Sequence, residues 1–219
     1  SVMSVRGARN EFEAAQFVLR PARVLRGLQV VAEPLEGAGG VSLPAEAVDV
    51  LRVGYVPVAL PTDGLGTVAP WPDPLPPVNG PLDLAAAANQ PFWVCVHIPQ
   101  DAAAGVYRGR IRLQAEGWQA SVPLEVEVFD FSLPDRSTCV SAFGFDAGLA
   151  FRYHNVVTET DRRAVFDSYL QLLADHHISI YNPAAFDPIE YTWPNLPPWH
   201  GGIRVEVPDD AGNFALLVA

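Results

Sequence analysis

All 14 basic residues of the chain are arginine; there is no lysine. Schiff-base chemistry, a phosphate-loop lysine and a kinase strand lysine are thereby excluded. G-x-S-x-G and H-E-x-x-H are absent as well. Acids that could move protons in the C-terminal third include Asp146, Asp187 and Glu190, but none has an acidic neighbour to split its pKa from its own. The one adjacent acidic pair, Asp209-Asp210, sits in a Pro-Asp-Asp-Ala-Gly turn. His176-His177 invites a zinc reading. Neighbours entering a strand point to opposite faces, and no cysteine or carboxylate stands at ligand spacing. A charge interaction at a helix C-terminus is the better reading, so no metal and no cofactor is expected. Cys95 and Cys139 match no zinc or C-x-x-C spacing and read as buried free thiols, although sequence alone leaves a disulfide open.

These groups need elements to hold them. The chain has 219 residues, 49% hydrophobic, enough for one large or two small packed domains. No stretch approaches the ~18 apolar residues of a membrane span. A net charge of −11 argues against nucleic-acid or anionic-membrane binding. Residues 11–19, 28–33 and 47–58 read as strands, being β-branched and punctuated by Gly and Pro. Residues 57–81 hold eight of the 21 prolines, together with Trp71. They read as an extended surface loop, either a plain connector or a carbohydrate-contacting or interdomain flap. Phe92–Ile98, Val106–Glu116 and Trp118–Phe131 read as three antiparallel strands. In the second, Val106, Arg108, Arg110 and Arg112 alternate with Tyr107, Ile111 and Leu113. One polar face of that kind suits the outside of a β-sandwich.

Beyond Pro134 the texture changes. Cys139–Phe145 reads as an apolar strand, Glu159 to Asp175 as a helix with Thr158 as its N-cap and Asp161 three residues on, and His177–Tyr181 as a buried strand. That β-α-β order is the unit of a parallel sheet. The fold class expected is all-β plus α/β: an antiparallel β-sandwich over 1–134, then the first βα units of a truncated (β/α)8 barrel over 135–219. Eighty-five residues hold two or three of the eight units. Both ends read as cut, so the chain reads as a fragment; these residues contain no signal peptide. Asp146 stands at the C-terminal end of the first α/β strand, Tyr181 and Asn182 at that of the second. On a barrel, active sites are built at this end. The structural alternatives are that Asp146 turns the chain before Gly148 and that Asn182 caps a turn before Pro183.

Several segments resemble one family. Asn10-Glu11-Phe12-Glu13 with Gln16-Phe17-Val18-Leu19 resembles the opening of the β-sandwich in glycoside hydrolase family 123. Gln90-Pro91-Phe92-Trp93-Val94 through Pro99 is similar to its Q-x-x-W-V strand, and Asp101 to Gly109 to its D-x-x-x-G-x-Y-x-G turn. Val128 to Pro134 resembles the exit into the barrel, and Asp175 to Ser179 a post-helix motif in which His177 replaces the usual Arg. The resemblance implies a retaining, substrate-assisted hydrolase of terminal β-linked N-acetylhexosamine, chiefly N-acetylgalactosamine. The substrate acetamido oxygen would attack the anomeric carbon, an Asp would orient the acetamido nitrogen, and an adjacent Glu would serve as acid and base. No Asp-Glu dipeptide occurs in the chain, so that pair is expected beyond Ala219 and no catalytic residue is assigned. In this reading Asp146 receives a sugar hydroxyl, Tyr181 stacks on a ring with Asn182 beside it, and Trp193 contacts sugar from a Pro-rich loop; Trp193 packing that loop onto the scaffold is the alternative. The partner implied is a carbohydrate, and the compartment implied is secreted or periplasmic. A non-catalytic carbohydrate-binding or structural sandwich is the alternative for the chain as it stands.

Overall fold

The computed structural model describes residues 2–135, 139, 141–180 and 186. Its strands are β1 (Met3–Arg9), β2 (Glu11–Leu19), β3 (Leu25–Ala32), β4 (Leu35–Glu36), β5 (Ser42–Leu43), β6 (Val48–Arg52), β7 (Tyr55–Val58), β8 (Ala69–Pro72), β9 (Leu82–Leu84), β10 (Gln90–Ile98), β11 (Gly105–Ala115) and β12 (Trp118–Ser132). Its helices are α1 (Ala147–Tyr153) and α2 (Glu159–Asp175). The larger sheet runs β1-β12-β11-β3-β9, with β4 beside β11 and β5 beside β4; the smaller runs β2-β10-β6.

Alternation decides which side chains meet. Tyr107, Ile111 and Leu113 of β11 and Leu124, Val126 and Val128 of β12 are buried, while the intervening arginines and glutamates face out. From the opposite sheet, Val94, Val96 and Ile98 join the same core, and Phe92 nucleates a second cluster with Leu25, Leu28, Leu84 and Leu113. Each such side chain stabilises the fold by about 1.5–3 kcal/mol, and a one-residue slip would expose the whole set.

Three strand expectations change. The series 92–131 does not lie in one sheet: β10 belongs to the smaller sheet, and the Pro99–Gly105 turn carries the chain across to β11. Each sheet thereby presents its apolar face to the other. The sandwich is not wholly antiparallel, because β1 pairs in parallel with β12. The chain changes sheet between β1 and β2, so β2 does not return beside β1. Finally, 57–81 is not an unpaired loop. β7 and β8 form a ribbon with Tyr55 opposite Pro72 and Pro57 opposite Pro70. These prolines share one set of alternate pairs, leaving Val56 with Trp71 and Val58 with Ala69 to supply the N–H donors. The return segment then runs along β6, where the carbonyls of Pro74 and Pro76 accept from Gly54 and Arg52. Proline has no N–H to offer outward, so this border closes a sheet edge to further pairing.

The chain divides into two compact units, Ser1–Gly144 with Asp167–Tyr181 and Phe145–Phe166 with Asn182–Ala219. The first contains the sandwich. It also holds what the described residues show of a parallel α/β pairing: a bridge between Phe143 and Ile180, with the Phe143 N–H donating to Ser179 O at 2.9 Å. From sequence, 139–145 reads as an apolar strand and 177–181 as a buried one. Among the described residues they make only this bridge, and Phe143 and Ile178 are exposed because little packs on them. Cys139 is likewise exposed rather than buried, Cys95 is half-buried, and no disulfide joins the two. In the second unit Phe166 is buried against Phe145 and Phe186, and Phe151 meets Phe186 at 5.6 Å between ring centres. Helix α2 starts where expected: Thr158 Oγ1 accepts from the Asp161 N–H at 3.2 Å and donates to the Asp161 carboxylate at 2.6 Å. Helix α1 is an addition that its short sequence did not announce.

Candidate functional site

Of the four side chains read from sequence as ligand contacts, Asp146 is described. It is exposed and N-caps α1, its Oδ1 accepting from the Leu149 N–H at 3.1 Å. One oxygen of the carboxylate is thus committed to the helix. Tyr181, Asn182 and Trp193 lie outside the described residues. Among the described residues no group of three or more His, Cys, Asp or Glu side chains is arranged to hold a metal ion, and no helix is long and apolar enough to cross a membrane.

The structure brings together residues that are far apart in sequence. A cleft of about 520 Å³ is lined by Asn10, Phe12, His97, Asp135, Gln171, Ala174, Asp175 and His177. Asn10 adopts φ 64°, a left-handed conformation that asparagine tolerates better than most residues. Its N–H donates to Ile98 O at 2.8 Å, and its side-chain amide donates to Leu133 O at 3.1 Å and to Asp135 Oδ1 at 3.0 Å. Leu133 N–H returns a bond to Arg9 O at 2.9 Å. The first corner of the sandwich therefore holds the segment that leaves it. Phe12 stacks on His97 at 4.4 Å and 13°, and also meets His176 at 4.4 Å. His177 ends α2 at φ 58°, its N–H donating to Ala174 O while Ile178 N–H donates to Leu173 O. That is the paired bonding of a Schellman cap, with histidine where glycine is usual. It replaces the strand entry expected for the two histidines. Gln171 Nε2 donates to Asp175 Oδ1 at 2.6 Å. Amides and carboxylates here are largely spent on one another, which makes the cleft a fastening rather than a proton-transfer centre. Asn10, Phe12, His97, Asp175 and His177 all fall within the motif segments read from sequence, but their meeting is not legible there, and Asp135 was missed altogether. Pairing of Phe12 with His97 follows from strand register, which no single segment encodes.

Other motif residues also serve the frame. Gln90 is the one buried polar residue among those described. It accepts from Arg52 Nε at 3.2 Å and donates to Val53 O at 3.1 Å and Pro91 O at 2.8 Å. Tyr107 is buried with its hydroxyl on Ala103 O at 2.7 Å. Gly105 needs φ 141°, and a Cβ on Gly109 would stand 2.6 Å from Leu35 Cδ2 and 2.8 Å from Pro34 O. On the outer face of the larger sheet, Glu33 bonds Arg110 at 2.7 Å and lies 3.8 Å from Arg112, while Arg108 pairs with Glu125 at 2.9 Å. The Arg110 hydrogen bond, helped by the charges of Arg110 and Arg112, holds the Glu33 carboxyl below its ordinary value. Burial, then the Asp49 and Glu13 carboxylates, push the Cys95 thiol up. The ladder is a solvated, mutually neutralised face.

The sequence profile described as the glycoside hydrolase 123 N-terminal domain matches residues 1–115. No curated protein matches the chain. Among solved structures, a family 123 glycoside hydrolase from Clostridium perfringens, studied for glycolipid glycan hydrolysis, superposes with a TM-score of 0.71 at 13% identity. The superposition covers 81% of this chain and 32% of that one, so the chain spans about a third of that enzyme's length and the likeness is one of fold. The CooA pilin subunit of enterotoxigenic Escherichia coli covers 61% of this chain and 92% of its own at 12% identity, but its TM-score of 0.31 carries no argument.

Proposed function

This chain belongs to the glycoside hydrolase 123 N-terminal domain family, and from that premise we propose that it is the leading part of a glycoside hydrolase. Residues 1–134 are the β-sandwich and 135–219 the opening of a (β/α)8 barrel. The observation that carries this reading is the profile match over 1–115; the parallel bridge from Phe143 to Ile180 is in keeping with it. The reaction is retaining hydrolysis of a terminal β-linked N-acetylhexosamine, with the substrate's own acetamido oxygen as nucleophile. The carboxylate that orients the acetamido group and the acid that protonates the departing oxygen belong to later barrel strands, in sequence beyond Ala219. Within this chain Asp146 has one carboxylate oxygen left by its cap to receive a sugar hydroxyl. Tyr181, Asn182 and Trp193 are proposed as further substrate contacts.

Positioning of the acid and the acetamido group supplies several kcal/mol of the barrier reduction, and it requires rigid strand ends from a closed barrel. The full-length protein should therefore release chromophore from a β-N-acetylgalactosaminide, and the 219-residue chain alone should not. Failure of the full-length protein on both the galactosaminide and the glucosaminide would overturn the reading. Turnover by the short chain, lost in Asp146→Asn, would overturn the placement of the acid pair downstream.

A further inference from the structure

The β7–β8 ribbon carries features that the frame does not use. Directly opposed residues of an antiparallel pair share a face, so Val56, Val58, Ala69 and Trp71 point one way and Tyr55, Pro57, Pro70 and Pro72 the other. Beyond Pro72 the regular pairing ends in a bulge: Asp73 N–H donates to Gly54 O at 3.2 Å while Gly54 N–H donates to Pro74 O at 2.7 Å, so Asp73 and Pro74 together oppose Gly54. The bulge sets Asp73 at the end of the ribbon, two residues on from Trp71 and across from the residue two before Val56. Trp71 is 44% and Val56 41% exposed, although both are large and apolar. The indole is held in place: its Nε1–H donates to Thr67 O at 2.9 Å, and prolines stand on either side of it in the chain. An exposed aromatic ring fixed in this way has already lost the rotamer freedom that binding would otherwise cost.

We infer that the Trp71 face of this ribbon is a saccharide-binding platform. A pyranose lays its flat C–H face on the indole and extends onto Val56, while a hydroxyl at its edge donates to the Asp73 carboxylate. The charge of the surroundings favours this occupant. The ionisable residue within two positions of Trp71 in the chain, Asp73, is an acid, and the chain carries −11 overall, which disfavours phosphate, nucleic acid and anionic lipid. Peptide addition to the ribbon edge is disfavoured by Pro57, Pro70 and Pro72, which lack the N–H that such pairing needs. The choice of sugar rests on the proposed function; the platform itself rests on the ribbon.

The test is a heteronuclear NMR titration of the 219-residue chain with an oligosaccharide ending in β-linked N-acetylgalactosamine. The Trp71 indole signal is identified by its loss in Trp71→Phe. The expected result is a saturable shift of that signal. Affinity, followed through neighbouring backbone amides, should fall about tenfold in Trp71→Ala, the equivalent of one aromatic contact, and should fall less in Trp71→Phe. Asp73→Asn should weaken it as well, and Tyr55→Ala, on the other face, should leave it unchanged. No Trp71 shift at saturating sugar, or equal affinity in folded Trp71→Ala, would overturn the inference. So would a Trp71 signal that moves with protein concentration alone, since that would assign the face to a second copy. Hydrolysis by the full-length protein without a Trp71 shift would sink the platform and leave the proposed function standing; a shift without hydrolysis would do the reverse.

Discussion

Asn10 concentrates two separable contributions, and replacing it tests both. Its side-chain amide makes one half-buried bond to Leu133 O and one exposed bond to Asp135. At about 1 kcal/mol for the first and less for the second, losing both costs about 1–2 kcal/mol. Its backbone stands at φ 64°, where alanine is disfavoured by about 1 kcal/mol and glycine is not. Asn10→Gly should therefore lose about 1–2 kcal/mol and Asn10→Ala about 2–3. With a urea slope near 2 kcal/mol/M, the two midpoints should differ by roughly 0.5 M at constant slope. Equal midpoints for Gly and Ala would refute the strained-backbone part. A wild-type midpoint in Asn10→Gly would refute the claim that the amide fastens the exit segment.

Gly109→Ala should destabilise by about 1–3 kcal/mol, since its Cβ meets a backbone oxygen that cannot move aside; an unchanged thermal midpoint would contradict the packing of Pro34 and Leu35 on β11. His177→Gly should stabilise the chain by about 1 kcal/mol by relieving φ 58°, read as a raised urea midpoint; an unchanged or lowered midpoint would refute the strained cap. Cys95, its thiol pushed up by burial, should react with iodoacetamide at pH 8 more slowly than exposed Cys139, which peptide mass spectrometry resolves. Glu33 is held below its ordinary value in the folded state. Its contribution is thus present above the unfolded value and lost as pH falls through the lower folded one. Wild type should exceed Glu33→Gln in stability at neutral pH and converge with it in acid; a constant gap down to pH 2 would refute the ion-pair origin.

Much of the frame is legible because its signals are local. Alternation over 105–132 names the buried set, and the Thr158 cap marks where α2 begins. Local signals stop where pairing begins. Nothing in Phe92–Ile98 says that it faces Tyr107 across the core rather than beside it, since a strand with one apolar face reads the same in either sheet. The proline count in 57–81 suggested an unpaired loop, and only the register shows that Pro57, Pro70 and Pro72 all miss the hydrogen-bonded positions.

The candidate site divides along the same line. Motif residues such as Gln90, Tyr107 and Gly109 could be picked out one by one by their resemblance to a family pattern; the Tyr107 hydroxyl on Ala103 answers a short-range demand, whereas Gln90 reaches Val53 and Gly109 lies against Pro34 and Leu35, which no single segment announces. By itself the sequence determined the family, the strand faces and the helix α2. The tertiary structure alone decided that Asn10, His97, Asp135 and His177 share one cleft, and that Trp71 lies opposite Val56 on one face of a ribbon. Such meetings are set by register and by which sheet each strand joins. Those depend on burying apolar area across the whole core, a sum over distant segments that no single segment contains.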